Sequence, residues 1–135
     1  MIEKNYRKTV GIFGGTGFIG EEIVQHLVKN GFKIKIATRN VYLAQTLKVY
    51  GDIVQIELHQ VNLKSEESIK KFLQDCDVCI NLVGILFETR LQKFNELHTN
   101  FPKKIASIFS KSSRSNLMVH FSALGANSNS NSAYI

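Results

Sequence analysis

The chain has 135 residues, which limits it to one domain, and its hydrophobic content of 44% and charged content of 21% are ordinary for a globular protein. The formal net charge of +6 comes from scattered basic residues, among them Lys33 and Lys35, which we expect to be solvated. Because no basic run is interleaved with aromatic residues, no nucleic-acid partner is expected.

No apolar stretch approaches the roughly 18 residues that a membrane span needs, and the first residues carry no signal sequence. We therefore expect a cytoplasmic protein, or a peripheral one on the cytoplasmic face of a membrane.

Apolar runs alternate with amphipathic segments along the chain. The runs predict five strands, at 9–13, 32–38, 53–58, 78–83 and 117–121. The amphipathic segments predict four helices, at 18–29, 41–50, 65–73 and 93–111, the last with a kink or break at Pro102. The Ser- and Asn-rich stretch at 125–132 predicts a loop.

Strict alternation of strands and helices predicts a parallel sheet with right-handed crossovers. The predicted fold class is therefore α/β, a Rossmann-type doubly wound sheet in one domain over residues 1–135. Its expected strand order is 3-2-1-4-5, with a ligand at the switch between strands one and four.

A glycine-rich turn joins the first strand to the first helix. Gly14-Gly15-Thr16-Gly17-Phe18-Ile19-Gly20 contains the G-x-G-x-x-G spacing, and it lies between a strand and a helix as a dinucleotide-binding turn does. Glycines let the backbone approach a pyrophosphate, and the helix N-terminus offers free N–H groups to it. A structural turn in another kind of α/β protein is the alternative.

The end of the second strand bears on the choice of cofactor. NAD-binding proteins usually place an acid there for the ribose 2′-hydroxyl, whereas this chain has Thr38-Arg39-Asn40 and no acid nearby. Arg39 can pair with a 2′-phosphate and stack on adenine, so NADP(H) is preferred and NAD(H) stays open.

The two cysteines, Cys76 and Cys79, form a C-x-x-C that leads into an apolar run. A redox motif would place its first cysteine at a helix N-terminus, and a zinc site would need further ligands. We expect two reduced, buried side chains and no metal site.

With these residues assembled, the chain resembles the atypical and extended short-chain dehydrogenase/reductases, which are often described as NAD-dependent epimerase/dehydratase-like. Within them it is most similar to the NADPH-binding accessory subunits of respiratory complex I (NADH-ubiquinone oxidoreductase) and their bacterial relatives. The resemblance covers essentially the whole chain. It rests on the glycine turn, on Asn81-Leu82-Val83-Gly84, on the Pro102 helix and on Ser122-Ala123-Leu124-Gly125-Ala126.

The resemblance implies a set of cofactor contacts. Thr16, Phe18 and Ile19 would line the pyrophosphate, and Arg39 with its neighbour Asn40 would lie at the adenosine phosphate. Adenine would lie between Asn62 and Leu63, although the family often has Asp where Asn62 stands. The cofactor would pass over Leu82, Val83 and Gly84, and Ser122 would reach toward its nicotinamide end.

The resemblance also implies what a catalytic member would need. Active members use a Tyr, and a Lys four residues later, to transfer a proton while hydride moves. Tyr134 stands where that Tyr belongs, with Ser122 as the second candidate catalytic residue, and the chain ends before the position of the Lys. The sixth strand and the substrate domain of the family are likewise expected after residue 135, so the chain is expected to be truncated.

Three functions are therefore compatible with the sequence. The first is an NADP(H)-binding module with a structural, assembly or regulatory role, in complex I or in ubiquinone metabolism, rather than turnover. The second is an NAD(P)-dependent oxidoreductase or epimerase whose remainder is missing or on a separate chain. The third is a decayed gene fragment that still folds. We also expect a homodimer through the apolar sheet edge at 117–121.

Overall fold

The computed structural model describes residues 6–52, 54–83, 101–111 and 117–121, without the side chain of residue 43. Its strands are β1 (Thr9–Phe13), β2 (Lys33–Thr38), β3 (Ile56–Gln60), β4 (Val78–Asn81) and β5 (Leu117–His120). Its α-helices are α1 (Phe18–Lys29), α2 (Val41–Ala44), α3 (Glu66–Leu73) and α4 (Phe101–Ser110), and a 3₁₀-helix (Gln45–Tyr50) continues α2.

The five strands form one parallel sheet in the order β3-β2-β1-β4-β5, which confirms the predicted Rossmann topology. The chain reverses its direction of progress at β1, from which β2 lies on one side and β4 on the other. Ligands of open α/β sheets bind at such a switch, outside the carboxyl ends of the strands.

A hydrophobic cluster covers each face of the sheet. The cluster under α1 and the 3₁₀-helix is built from the alternate strand residues, with Ile12, Ile34, Ile36 and Ile56 fully buried. The cluster under α3 and α4 is centred on Phe13, whose ring makes edge contacts with Phe72 at 5.1 Å and Phe101 at 5.4 Å. The strands are therefore apolar on both faces, as expected of a sheet that is covered twice.

The predicted helix at 41–50 is helical throughout but of two kinds. Ala44, Leu47 and Tyr50 face the core at a spacing of three, with Ala44 and Leu47 buried and Tyr50 half-buried. A 3₁₀-helix has three residues per turn, so it keeps all three on one face where an α-helix would rotate them away.

The prediction for β3 was wrong by three residues, since this strand starts at Ile56. A turn precedes it, in which Gln55 N–H donates to the Asp52 carbonyl at 3.0 Å. The Gln55 side chain donates to the carbonyls of Val28 and Phe32, at 3.2 and 3.0 Å. These bonds attach the turn to the α1–β2 connection. The sequence around Gln55 does not predict them, because the partners lie 23 and 27 residues away.

Other boundaries differ from the sequence prediction by one or two residues. β4 ends at Asn81 rather than 83, although the Leu82 N–H still donates to the Phe13 carbonyl at 2.8 Å. Pro102 lies within α4, and the predicted helical residues 93–100 lie outside the described residues, as does the loop predicted at 125–132.

The expectation that both lysines of β2 are solvated was wrong for Lys35. This residue is 5% exposed, and its ammonium donates to the Phe72 carbonyl at 2.7 Å and lies over the Phe72 ring. The ammonium therefore serves one of the last carbonyls of α3, where a positive charge also suits the helix dipole. Cys76 and Cys79 are buried as predicted, and burial raises the pKa of Cys79 well above its usual range.

Candidate phosphate-binding turn at the carboxyl edge of the sheet

Gly14 begins the turn after β1, and no other residue fits there. Its φ of +83° lies in the left-handed region, and a Cβ at this position would come within 2.9 Å of the Leu82 carbonyl carbon and the Val83 nitrogen. The turn therefore packs directly against the chain that leaves β4. This contact places Leu82 and Val83 beside the turn, with Leu82 buried and Val83 half-buried.

Gly20 fixes α1 against the same turn. A Cβ on Gly20 would lie 2.5 Å from the carbonyl oxygen of Gly15, which is far inside van der Waals contact. Only a glycine lets the first turn of α1 pass this close to the backbone. Gly20 is buried and Gly14 is half-buried, and close packing explains why both positions are glycine.

Gly17 is different, because the fold gives it no reason to be a glycine. It is the N-cap of α1 with φ −82° and ψ 178°, a conformation open to any residue, and a Cβ there would meet no described atom within 4 Å. The open space beside Gly17 lies in front of the helix N-terminus.

The N-terminus of α1 also lacks the cap that the neighbouring helices have. Asn40 Oδ1 accepts from the Tyr42 N–H at the start of α2, and Ser65 Oγ accepts from the Ser68 N–H at the start of α3. No side chain among the described residues caps α1 in this way. The first turn of α1 therefore presents free N–H groups and a partial positive charge to the space beside Gly17.

The predicted pyrophosphate contacts are distributed around this N-terminus. Thr16 is exposed, Phe18 is 77% exposed, and Ile19 is half-buried, with its side chain packed in the cluster under α1. Ile19 thus has a packing role, and its backbone N–H is the group that it can offer to an anion.

An acidic side chain in the first turn of α1 is held by a partner that the sequence did not indicate. The Tyr50 hydroxyl donates to Glu21 Oε1, and this hydrogen bond, followed by burial, raises the pKa of Tyr50. The bond joins α1 to the end of the 3₁₀-helix, 29 residues further along the chain. It fixes the Glu21 carboxylate beside the 3₁₀-helix, and the carboxylate keeps its negative charge.

The two residues after β2 have different roles, since Asn40 caps a helix and Arg39 is an exposed side chain. Asn40 caps α2 through its side chain, and its N–H donates to Thr38 Oγ1 at 3.1 Å. Asn40 therefore has a structural role that the sequence analysis did not foresee. Arg39, between them, is exposed directly after the last residue of β2.

The end of β3 lies at the same edge, since the Val61 N–H donates to the Thr38 carbonyl at 3.0 Å. Asn62 is exposed, but its Oδ1 accepts from the Lys64 N–H at 3.0 Å, so the side chain shapes its own loop. Leu63 is half-buried against the cluster under α3 and α4.

The ends of β4 and β5 carry a polar pair that the sequence analysis missed. Asn81 is fully buried, and its Nδ2 lies 3.0 Å from Nδ1 of His120, its register partner on β5. Its Oδ1 accepts from the Val83 N–H at 3.1 Å. Burial lowers the pKa of His120. An Asn and a His 39 residues apart give no local signal, and only the parallel register brings them together.

Three predicted site residues, Gly84, Ser122 and Tyr134, lie outside the described residues. Where the structure is described, it contains no group of three or more His, Cys, Asp or Glu side chains that could hold a metal ion. Nor does this part of the chain contain a helix long and apolar enough to cross a membrane.

Comparison with known proteins agrees with the fold and with the turn. The profile of the NmrA-like family matches residues 6–98. The NADH dehydrogenase (ubiquinone) 1 alpha subcomplex subunit 9, mitochondrial, of Mus musculus is 35% identical over 122 residues, 90% of this chain and 32% of that protein. The NADH-ubiquinone oxidoreductase 40 kDa subunit, mitochondrial, of Neurospora crassa is 30% identical, again over 90% of this chain and 32% of its own length.

Among solved structures, the Bordetella bronchiseptica enzyme WbmF, crystallised in complex with NAD⁺, has a TM-score of 0.69 at 15% identity. The match covers 96% of this chain and 42% of WbmF. The chain thus shares the Rossmann fold of WbmF and is homologous to subunits of complex I. It spans about a third of the length of those curated relatives.

Proposed function

The chain belongs to the NmrA-like family, and from this premise we propose that it binds a nicotinamide dinucleotide, with NADP(H) preferred over NAD(H). One observation carries the proposal, namely the uncapped N-terminus of α1 facing the open space beside Gly17. The fold explains Gly14 and Gly20 but leaves Gly17 unexplained. A pyrophosphate that approaches the backbone at this point accounts for Gly17.

Arg39 supports the preference for the phosphorylated cofactor. It is exposed at the carboxyl end of β2, on the side of the switch where a Rossmann fold receives the adenosine half. No acid stands beside it to accept from a ribose 2′-hydroxyl. A guanidinium there pairs with a 2′-phosphate through two parallel hydrogen bonds and stacks on the adenine.

We propose a structural, assembly or regulatory role for the bound nucleotide rather than turnover by this chain. Both curated relatives described above are named as subunits of a respiratory NADH–ubiquinone oxidoreductase. The second candidate is an NAD(P)-dependent oxidoreductase or epimerase that uses Ser122 and Tyr134. It is favoured by the fold shared with WbmF.

The binding proposal is tested by calorimetric titration of the chain with NADPH and with NADH, repeated with Arg39→Ala. Charge-assisted hydrogen bonds contribute about 1.5–3 kcal/mol, so NADPH affinity should fall about 10- to 150-fold. NADH affinity should fall much less, because NADH loses only the stacking on adenine, whereas NADPH also loses the bonds to its 2′-phosphate. Lys29→Ala removes one exposed charge from the last turn of α1 and is the matched control, which should leave both affinities unchanged.

Two results would contradict parts of this proposal. Equal losses for NADPH and NADH would place Arg39 away from the 2′-phosphate. In that case NAD(H) would need an acid at another position to accept a hydrogen bond from its ribose 2′-hydroxyl. Failure of both nucleotides to bind would leave the turn without a ligand and favour the decayed fragment.

The role in an assembly is tested by affinity purification from membranes of the source cells, using a tagged chain. Recovery with NADH–ubiquinone oxidoreductase subunits is the expected result. Recovery of the chain alone would count against an accessory role. Cell fractionation tests the cytoplasmic, membrane-peripheral location. The mitochondrion, printed in the names of the relatives, is the alternative.

A further inference from the structure

Asn81 is a buried polar residue whose role the glycine turn does not explain. It has no exposed surface and lies in a row with Phe13 on β1 and His120 on β5, at the carboxyl ends of the three strands. Burying a carboxamide costs several kcal/mol unless its hydrogen bonds are satisfied. The partners of Asn81 therefore define what the residue does.

These partners fix the orientation of the carboxamide. The Val83 backbone nitrogen can only donate, so the side-chain atom of Asn81 that faces it at 3.1 Å must be the oxygen. The amide NH₂ then faces His120 at 3.0 Å. In addition, the Asn81 backbone carbonyl accepts from the Phe121 N–H at 3.0 Å, which secures β5 beside β4.

The orientation of Asn81 in turn fixes the proton on His120. An amide NH₂ can only donate, so the Nδ1 atom of His120 that meets it must carry a lone pair and no proton. The ring is then neutral, with its one proton on Nε2. Protonating Nδ1 would set two donors against each other, and rotating the Asn81 carboxamide to relieve this would leave the Val83 N–H facing another donor. Burial also lowers the pKa of His120 and so disfavours the charged ring.

His120 lies on the half of the edge that the adenosine contacts do not use. Arg39 and Asn62 follow β2 and β3 on one side of the switch, whereas β4 and β5 lie on the other. A dinucleotide whose pyrophosphate meets α1 and whose adenosine lies toward β2 extends its second nucleotide toward β4 and β5. This step rests on the proposed function.

We propose that Asn81 is a positioning residue that holds His120 as the uncharged Nε2–H tautomer, so that β5 offers a neutral hydrogen-bond donor to the nicotinamide half of a bound dinucleotide. The oxidised nicotinamide ring is a cation and the reduced ring is neutral. A neutral donor accommodates both forms, whereas an imidazolium would repel the oxidised one.

The tautomer is measured on the unsubstituted chain, labelled with ¹⁵N at histidine, by long-range ¹H–¹⁵N correlation at pH 7. His120→Gln assigns the signal, and the exposed His26 on α1 is the internal control. The expected result is a His120 ring with Nδ1 unprotonated and Nε2 protonated, and with shifts distinct from the exchange-averaged signals of His26. A protonated Nδ1, or averaging identical to that of His26, would overturn the proposal.

A variant separates positioning by Asn81 from a preference of the ring itself. In Asn81→Asp one carboxylate oxygen still accepts from Val83, but the other can only accept from His120. Nδ1 should therefore gain a proton. Retention of the Nε2–H tautomer in the folded variant would overturn the role of Asn81. If the variant does not fold, the measurement on the unsubstituted chain still decides the tautomer.

Addition of NADPH and of NADP⁺ to the labelled chain tests the ligand-facing part. Both should move the His120 Nε2 signal and leave the signals of His26 in place. Binding of either nucleotide without a change at His120 would overturn the donor role while the proposed function stands. Absence of binding would overturn the proposed function and the donor role together, whereas the tautomer would still be read from the free chain.

Discussion

The uncapped N-terminus of α1 makes one substitution diagnostic, because Gly17→Asp should raise stability and abolish nucleotide binding at once. Gly17 has the extended conformation that N-cap residues adopt, and a side chain there meets no described atom within 4 Å. An aspartate can therefore enter without strain. Its carboxylate would accept from N–H groups of the first turn, as Asn40 and Ser65 do in α2 and α3.

Gly17→Asp should raise the free energy of unfolding and lower the affinity for NADPH, and the size of each change can be calculated separately. An aspartate cap gains a few tenths of a kcal/mol over glycine, and its charge gains about 0.3–1 kcal/mol from the helix dipole. The free energy of unfolding should thus rise by about 0.5–1 kcal/mol, which raises Tm by about 2–5 °C. The same carboxylate removes at least one charge-assisted hydrogen bond to the pyrophosphate and repels it, so NADPH affinity should fall more than about a hundredfold.

Urea unfolding measures the first effect, and calorimetric titration with NADPH measures the second. Gln25→Glu is the matched control, since it adds the same charge to α1 about 12 Å from the N-terminus, beyond the screening length of about 8 Å in physiological salt. It should leave NADPH affinity unchanged. Unaltered affinity in Gly17→Asp would refute the location of the pyrophosphate, and a loss of stability would refute the description of α1 as uncapped.

Three further predictions concern the fold. Lys35→Met should lower the free energy of unfolding, measured in urea, by about 1–3 kcal/mol, because the Phe72 carbonyl loses its charged donor and keeps only the weak thiol donor of Cys76. A rise in the free energy of unfolding would mean that burying the ammonium costs more than its hydrogen bond contributes. Although burial raises the pKa of Glu57, the hydrogen bonds and charges of Lys33 and His59 together outweigh it and hold the pKa below its usual value. The Glu57 contribution to the free energy of unfolding is therefore fully present above the unfolded carboxyl pKa of about 4.3 and is lost as pH falls through the folded pKa. Glu57→Gln should remove this part of the loss of stability between pH 7 and pH 3. An unchanged pH profile of stability would disprove the prediction. Finally, β5 is an edge strand among the described strands, and Leu117 on it is 55% exposed. Sedimentation should therefore detect a dimer that forms through β5, and Leu117→Lys should dissociate it. A monomer at every concentration would exclude this interface.

The sequence predicted the topology because the sheet is covered on both faces. Each strand is then an apolar run, each crossover helix has an apolar face, and strict alternation leaves few arrangements of parallel strands. The ends of strands were predicted less accurately where a polar side chain determines them. Gln55 bonds to two carbonyls of the α1–β2 connection, so that β3 starts only after it, at Ile56. The residues near Gln55 in the sequence give no sign of these partners.

The sequence predicted the glycine turn between β1 and α1, but it did not predict the polar contacts at the other strand ends, and the reason is physical. The glycine spacing is a local pattern, and its backbone consequences at Gly14 and Gly20 follow from sterics alone. By contrast, the Asn81–His120 pair and the burial of Lys35 depend on which strands and helices become neighbours. Such contacts join residues 37 or 39 positions apart, so local spacing carries no signal for them.

Some polar side chains at the carboxyl edge of the sheet already have hydrogen-bond partners, so fewer groups remain available to contact a ligand. Asn40 and Asn62 were both assigned to the cofactor by resemblance, yet each already accepts a backbone hydrogen bond within its own loop. A nucleotide that recruited either side chain would have to replace that bond, so the net gain would be small. The first turn of α1 has no such internal partner to displace, and Arg39 is an exposed charge at the same edge of the sheet. If the proposed dinucleotide binds, its binding energy should therefore concentrate in the helix N-terminus and in Arg39, whereas the two asparagines shape the loops after β2 and β3.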